Sequence, residues 1–335
     1  MSRFLPTSEI AMVKSPRESH FWPRRNQTLA TKKRYFRLRE SPVENLTFIA
    51  MMVAFDAIVS LIAGLLPLSA VFVMLIVPFT SASVALFCKG KYLPVYLFAG
   101  FGICLAVSAW NFTNTIFYVL PAMITGLVYG MLWKAKVPVS LNLFASTLVS
   151  LGLFYASLYF LRAVTQVDMV EFLLTAIGKK EDPLAPNVFP LFGFAYSLAQ
   201  MVLSHVFLQT QLERISILSN EEERLIPFHP IIAFGFALIS AILAFFNAKI
   251  AYLSFGASLY WALFCVYGIL AYHRAWTYVL LGIFFFSGWL VFASVYQQAP
   301  HGSGLALISI PVGFFSISCF LNYVLLRNRQ KQPKI

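Results

Sequence analysis

The chain has 335 residues, of which 59% are hydrophobic, 16% aromatic and only 11% charged, where an ordinary soluble domain carries roughly 25% charged residues. That composition excludes a soluble globular protein and points to an all-α, polytopic transmembrane bundle, because open strands would leave unpaired backbone in lipid. The net charge of +12 suits nucleic acid or a membrane surface, and the placement of the charges along the chain separates the two.

Residues 1–45 are basic, rich in Pro, Ser and Arg, and free of any helical apolar period, so they are predicted to be a mobile cytoplasmic tail. They lack a short apolar core with a small-residue cleavage site, so the first span is expected to stay in the mature chain. Within the tail, "KKRYFRLR" at 32–39 sets five basic residues among Tyr35, Phe36 and Leu38. Such a cluster is drawn to anionic lipid by about 1 kcal/mol per basic residue. It reads as a topology anchor or as a specific lipid or partner site.

Apolar blocks of about 17–25 residues, the length that crosses ~30 Å of hydrocarbon as helix, predict ten spans: 46–66, 67–87, 94–110, 115–133, 139–161, 188–209, 229–247, 248–270, 274–296 and 305–326. With both termini cytoplasmic, 21 of the 25 Lys and Arg residues fall on inner segments, and only Arg162, Lys179, Lys180 and Lys249 lie outside. This matches the positive-inside rule at every inner loop. The expected location is the cell (inner) membrane, and membrane orientation accounts for the positive charge without nucleic acid.

Between the fifth and sixth spans, 165–186 is too short and too charged to cross. Val167, Val170, Leu173, Leu174 and Ile177 share a helical stripe, which predicts an interfacial helix. The charged cytoplasmic connection at 211–228 divides the chain into a six-span block, 46–210, and a four-span block, 229–326; a basic tail, 327–335, follows.

Lipid offers no hydrophobic drive for helices to associate, so close packing needs small residues. Span 1 carries Ala50, Ala54, Ala57 and Gly64 near one face, and span 4 carries Ala122, Gly126 and Gly130. Either series serves packing within the chain or docking of another subunit. Pro78, Pro121 and Pro311 lie inside spans 2, 4 and 10, where each removes a backbone hydrogen bond and can kink its helix.

Asp56 is the acid at the middle of span 1. A carboxylate at that depth costs about 2.5–3.5 kcal/mol on insertion scales, so it must face inward. No Lys or Arg lies in the interior of any span, which leaves hydroxyls as its expected companions: Ser60 one turn on, and Thr80 and Ser81 in span 2. Two readings follow. In one, the protonated acid is a structural hydrogen-bonding group. In the other, it is ionised and meets a cation, a proton or a substrate amine.

Further candidate ligand-binding residues gather at the outer side: Trp110, Asn111 and Asn114 in "AWNFTN", Tyr118 at the start of span 4, and Tyr155 and Tyr159 at the end of span 5. Aromatics beside amides suit a flat, weakly polar ligand, and an interfacial aromatic belt predicts the same Trp and Tyr. His205 has no partner spacing and reads as a packed polar residue. Cys88, Cys104, Cys265 and Cys319 are scattered without CxxC or Cys/His spacing, which leaves no predicted metal or disulfide site. Nucleotide-binding, zinc-protease and serine-hydrolase motifs are absent, and no catalytic residue or cofactor is predicted, so the chain is not expected to be an enzyme.

The first helix "AMMVAFDAIVSLIAGLLP", the "KGKYLPVYLFAGFG" start of span 3 and "LPAMITGLVYGMLWKAK" in span 4 resemble the S-components of energy-coupling-factor (ECF) transporters. The resemblance is nearest to the longer, uncharacterised bacterial membrane proteins that share this core and add helices, and it covers roughly residues 44–210. It implies a vitamin-like substrate, a coupling subunit docked on the AxxxA face of the first helix at Ala50 and Ala54, and ABC-type ATPases as the energy source. The family's substrate loop between helices 1 and 2 has almost no counterpart here, around Leu66 to Leu68, and the four spans after residue 228 have none in the vitamin carriers. The leading expectation is therefore a small-molecule binding or transport subunit that depends on partners for energy. A non-transporting scaffold in cell-envelope assembly is the second, and a lipid-modifying membrane enzyme the third.

Overall fold

A computed structural model gives the protein as helices throughout its described residues, which are 39–65, 70–111, 113, 115–176, 178, 182, 184–214, 227–270, 275–300 and 303–330. The tail before residue 39, the junction at 66–69, Asn114, most of the 211–228 connection and the last five residues lie outside them.

The helices are α1 (Pro42–Leu65), α2 (Ala70–Phe87), α3 (Leu93–Val107), α4 (Leu120–Lys134), α5 (Val139–Thr165), α6 (Met169–Ala176), α7 (Ala185–Arg214), α8 (His229–Leu243), α9 (Ala248–Leu270), α10 (Ala275–Tyr296) and α11 (Ser309–Gln330). All but α6 fall on the ten expected spans. Eight helical stretches among the described residues are long and apolar enough to cross a membrane, and the apolar stretches Ile76–Phe87 and His229–Leu243 are shorter. The protein is thus a multi-pass membrane bundle. At 1.5 Å per residue, the 15 residues of α8 reach only about 22 Å, because the chain turns at residues 244–247 straight into α9.

Proline starts helices here more than it bends them. Pro94, Pro121 and Pro230 sit in the first turns of α3, α4 and α8, where a missing N–H costs nothing. A π-helical turn at Thr115–Val119 leads into α4, and Thr125 Oγ1 donates to the Pro121 carbonyl at 2.7 Å. Pro78 alone of the three prolines singled out in the sequence lies deep inside its helix.

That proline marks the tightest contact of the first block, where α2 runs along α4. A Cβ on Gly126 would stand 2.4 Å from the Pro78 carbonyl oxygen, and one on Gly130 would stand 2.5 Å from that of Ala82. Backbone meets backbone there, which is how helices gain attraction in lipid. α1 packs on α2 and α3, and α5 packs on α4 and α7. α7 then reaches α9, which with α8, α10 and α11 completes the second block. One apolar core runs through both blocks, from Leu86 and Tyr129 through Phe144 and Met201 to Trp261 and Cys319.

At the end of the bundle that carries Arg39, the chain is fastened by hydrogen bonds. Asn45, fully buried, donates to the carbonyls of Arg39 and Ser41 and accepts from the Lys89 N–H. The Arg39 guanidinium, the one described residue of the 32–39 basic cluster, lies 3.6 Å over the Phe48 ring. Lys134 Nζ donates to the Cys88 carbonyl at 2.9 Å, a cation at the C-terminal end of α2 where the helix dipole favours it. Burial pushes the Cys88 thiol up, against the opposing charges of Arg39 and Lys134.

The α2–α4 contact makes a graded prediction. Gly126→Ala and Gly130→Ala each push two backbones apart and should destabilise the protein by about 1–3 kcal/mol, the usual penalty of overpacking. Gly102→Ala and Gly235→Ala, whose Cβ would meet nothing within 4 Å, should leave it unchanged. Thermal unfolding of the four variants in one detergent measures the difference.

Candidate functional site

Asp56 is fully buried, and both of its oxygens are taken. Thr80 Oγ1 of α2 lies 2.6 Å from Oδ1, and the Tyr96 hydroxyl of α3 donates to Oδ2 at 2.5 Å. Tyr96 also shares a hydrogen bond with Ser81 Oγ at 2.8 Å. Thr80 and Ser81 each have a second acceptor in the Val77 carbonyl, at 2.8 and 2.7 Å. That carbonyl lies one residue before Pro78, within the proline-containing stretch of α2. One carboxyl thus joins α1, α2 and α3 through hydroxyls, and no ion pair reaches it among the described residues.

Ser60, an expected companion of Asp56, instead faces Ser108 Oγ at 3.5 Å. Ser108 donates to the Cys104 carbonyl and meets the Thr115 hydroxyl. Tyr96 was not among the expected companions. Counted from the Asn45–Lys89 contact, Asp56 lies eleven residues along α1 and Tyr96 seven residues on, a gap of about 6 Å at helical rise. A phenol ring spans that gap. Sequence distance alone could not show it, because the register of α3 against α1 is set by the buried Asn45.

The other candidate ligand residues do not converge on Asp56. Trp110 is 60% exposed, with its indole against Gly64 at the far end of α1. Asn111 falls in the short 3-10 turn Ala109–Asn111. Tyr118 is half-buried and packs edge-on against Phe117. Tyr155 belongs to a separate aromatic cluster with Phe154 and Phe189, and its buried hydroxyl has no partner among the described residues. Tyr159 points outward at 69% exposure.

The small residues of α1 also separate. Ala57 and Ala63 are buried, while Ala50 and Ala54 lie on the exposed face with Met51, Phe55 and Ile58. Four residues apart, the two alanines form a shallow step between larger side chains. On the interfacial segment, Leu174 is buried and Val167 is exposed.

A second polar region, absent from the sequence reading apart from His205, lies along α5, α7 and α9. Ser150 Oγ donates to Gln200 Oε1 at 3.1 Å. His205 Nδ1 and the Tyr129 hydroxyl are 2.5 Å apart, and Tyr260 donates to the Ser140 carbonyl at 2.5 Å. The Cys265 thiol donates to the Trp261 carbonyl at 3.2 Å, and Cys319 belongs to the same buried core. No group of three or more metal-binding side chains occurs among the described residues. The one available signal was periodic: Ser146, Ser150 and Ser157 recur on the buried face of α5, and Ser197, Gln200 and Ser204 on that of α7.

Comparison with family models, with curated proteins and with solved structures finds no match to this chain.

The hydroxyl closure around Asp56 predicts unequal costs. Tyr96→Phe strands a carboxyl oxygen in the interior and should cost about 1–3 kcal/mol. Asp56→Asn should cost less, since Thr80 can turn to its second acceptor and receive the new amide N–H. The double variant should then lose less than the sum of the singles. Equilibrium unfolding in mixed micelles reads all three, and full additivity would remove the coupling.

Proposed function

We propose that the protein is the small-molecule binding subunit of a membrane transport system, S-component-like in its first six spans. It sits in the cell membrane with both termini cytoplasmic and takes energy from a coupling subunit and ABC-type ATPases. The ligand is vitamin-like, and its differential affinity for two states of the bundle drives reorientation.

The observation that carries this reading is the division of labour on α1. Its inner face is fixed to α2 and α3 through Asp56, while Ala50 and Ala54 are turned outward. A helix anchored on one side and notched on the other suits a partner helix that needs close backbone approach. Asp56 serves in this reading as the fastening of the docking helix. Trp110, Asn111, Asn114, Tyr118, Tyr155 and Tyr159 remain the proposed outward ligand face.

The same exposed notch also serves the scaffold reading, in which α1 recruits helices without any ligand. The two part on ligand binding. A transport subunit gains thermal stability from a vitamin or a related small molecule, and a scaffold gains none.

Ala50→Leu combined with Ala54→Leu should fill the notch, abolish association with a coupling subunit and leave the unfolding temperature within about 2 °C of the parent. Site-specific crosslinking from Ala54→Cys to a partner helix measures the contact directly. Unchanged association in the double variant would remove α1 as the docking helix. Asp56→Asn, which keeps the fold, should leave ligand-induced stabilisation intact if the acid only fastens α1, and abolish it if the ionised acid meets the ligand.

A further inference from the structure

Helical hydroxyls buried in this bundle have a ready partner, the carbonyl four residues back. Ser81, Ser83, Thr125 and Ser316 all take it. Thr147 Oγ1, Ser197 Oγ and Ser204 Oγ do not, although each lies inside a helix, and neither they nor the indole N–H of Trp261 has a partner among the described residues. All four side chains are at most 1% exposed. An unmet polar group in an apolar interior is costly, so four in one region call for an occupant.

They share one region because of how α5, α7 and α9 meet. The Ser150–Gln200 hydrogen bond and the 5.6 Å ring contact of Phe154 with Tyr196 set α5 antiparallel to α7. Thr147 falls on the stripe of Phe144 and Leu151, both of which reach α7: the Phe144 ring is 6.4 Å from Phe194, and Leu151 lies against Gly193. Ser197 and Ser204 flank Gln200 at helical spacing. Phe144 also stands 5.3 Å from Trp261, which brings in the indole N–H from the second block.

The chemistry restricts the occupant. α5 carries no charged residue between Val139 and Leu161, α7 none between Ala185 and Leu212, and α9 only Lys249 at its start. Along these stretches no carboxylate, and no Lys or Arg apart from Lys249, stands to balance an ion buried here. Hydroxyls donate and accept, whereas an indole N–H only donates, so the occupant must offer at least one acceptor. Phe144, Phe194 and Trp261 supply ring faces.

We infer that the seam between α5, α7 and α9 is a binding site for a small, uncharged, planar solute bearing a carbonyl or ring-nitrogen acceptor, with Thr147, Ser197, Ser204 and Trp261 as its hydrogen-bonding groups. This deepens the proposed binding function and rests on it. It also gives the four-helix block a role, since α9 closes one side of the site.

Matched probes test it on the full-length protein in mild detergent. Nicotinamide and uracil are compared with their charged counterparts nicotinate and orotate by thermal unfolding, and native mass spectrometry reads any molecule that is carried through purification. The expected result is an upward shift with a neutral probe or a neutral co-purifying molecule, no shift with the charged pair, and at least a halved shift in Ser197→Ala/Ser204→Ala and in Thr147→Val. Without ligand these variants should unfold at the same temperature as the parent or higher, because an unmet hydroxyl has been removed. If a bound molecule persists undiminished in the variants, the seam is not its site, and the binding reading stands without it. If the bound molecule is charged, the inference fails on its chemistry. If no small molecule is found and the variants simply gain stability, the seam holds water or nothing, and both this inference and the binding reading fall, while docking through Ala50 and Ala54 is judged separately by crosslinking.

Discussion

An acid at the depth of Asp56 has to be closed from within, because hydrocarbon offers it neither water nor counterion. The closure fixes much of the first block. Thr80 and Tyr96 come from different helices, so satisfying one carboxyl sets the rotation of α1, the height of α3 and the face that α2 presents to both. A carboxyl held by two hydroxyls is also directional, which apolar packing in lipid is not. α3 shows the weakness of packing alone: only 17% of its apolar window is buried, yet its register is fixed by the phenol of Tyr96 and by the Asn45–Lys89 bond at its start.

α2 is the centre on which these constraints meet. One face holds Thr80 and Ser81 toward α1 and α3, and another lies against Gly126 and Gly130 of α4 at backbone contact. Both depend on the turn around Pro78. The Val77 carbonyl accepts from Thr80 and Ser81, and the Pro78 carbonyl is the closest atom to the missing Cβ of Gly126. The polar clasp and the glycine contact therefore share a single turn of helix, so a shift in either changes the geometry of the other.

The positions of the helices, the helical class and the inward placement of Asp56 were legible because each follows from local composition: block length, polar punctuation between blocks, and the cost of an acid in lipid. Thr80 was legible for the same reason, as a hydroxyl in the next span. Tyr96 was not, since a tyrosine near a span end reads equally as part of an interfacial belt, and only the Asn45 junction brings it to the depth of Asp56. The four small residues of α1 formed one series in sequence, but the helix turns Ala57 inward and Ala50 and Ala54 outward. The α5–α7–α9 seam stayed hidden because serine and threonine are ordinary in membrane helices. What sets Thr147, Ser197 and Ser204 apart is a bond that they do not make among the described residues, a matter of side-chain orientation that residue type does not carry.

The two polar centres divide the bundle by chemistry. Around Asp56 every oxygen has a partner and the groups come from neighbouring helices of one block, which is the pattern of a structural joint. Between α5, α7 and α9, Thr147, Ser197, Ser204 and Trp261 have buried polar atoms without a partner among the described residues, and the helices come from both blocks. A satisfied network stabilises and resists change, whereas an unsatisfied one gains from any guest that completes it. The proposed reorientation requires both properties in one molecule: a rigid part for the proposed docking face, and a part whose energy depends on what is bound. In this chain the two centres lie on different helices, joined through α4, which packs on α2 and α5, and through the direct contact of α7 with α2. A guest that draws α5, α7 and α9 together would therefore act on α2, the helix that holds α1 in place, both directly from α7 and by way of α5 and α4.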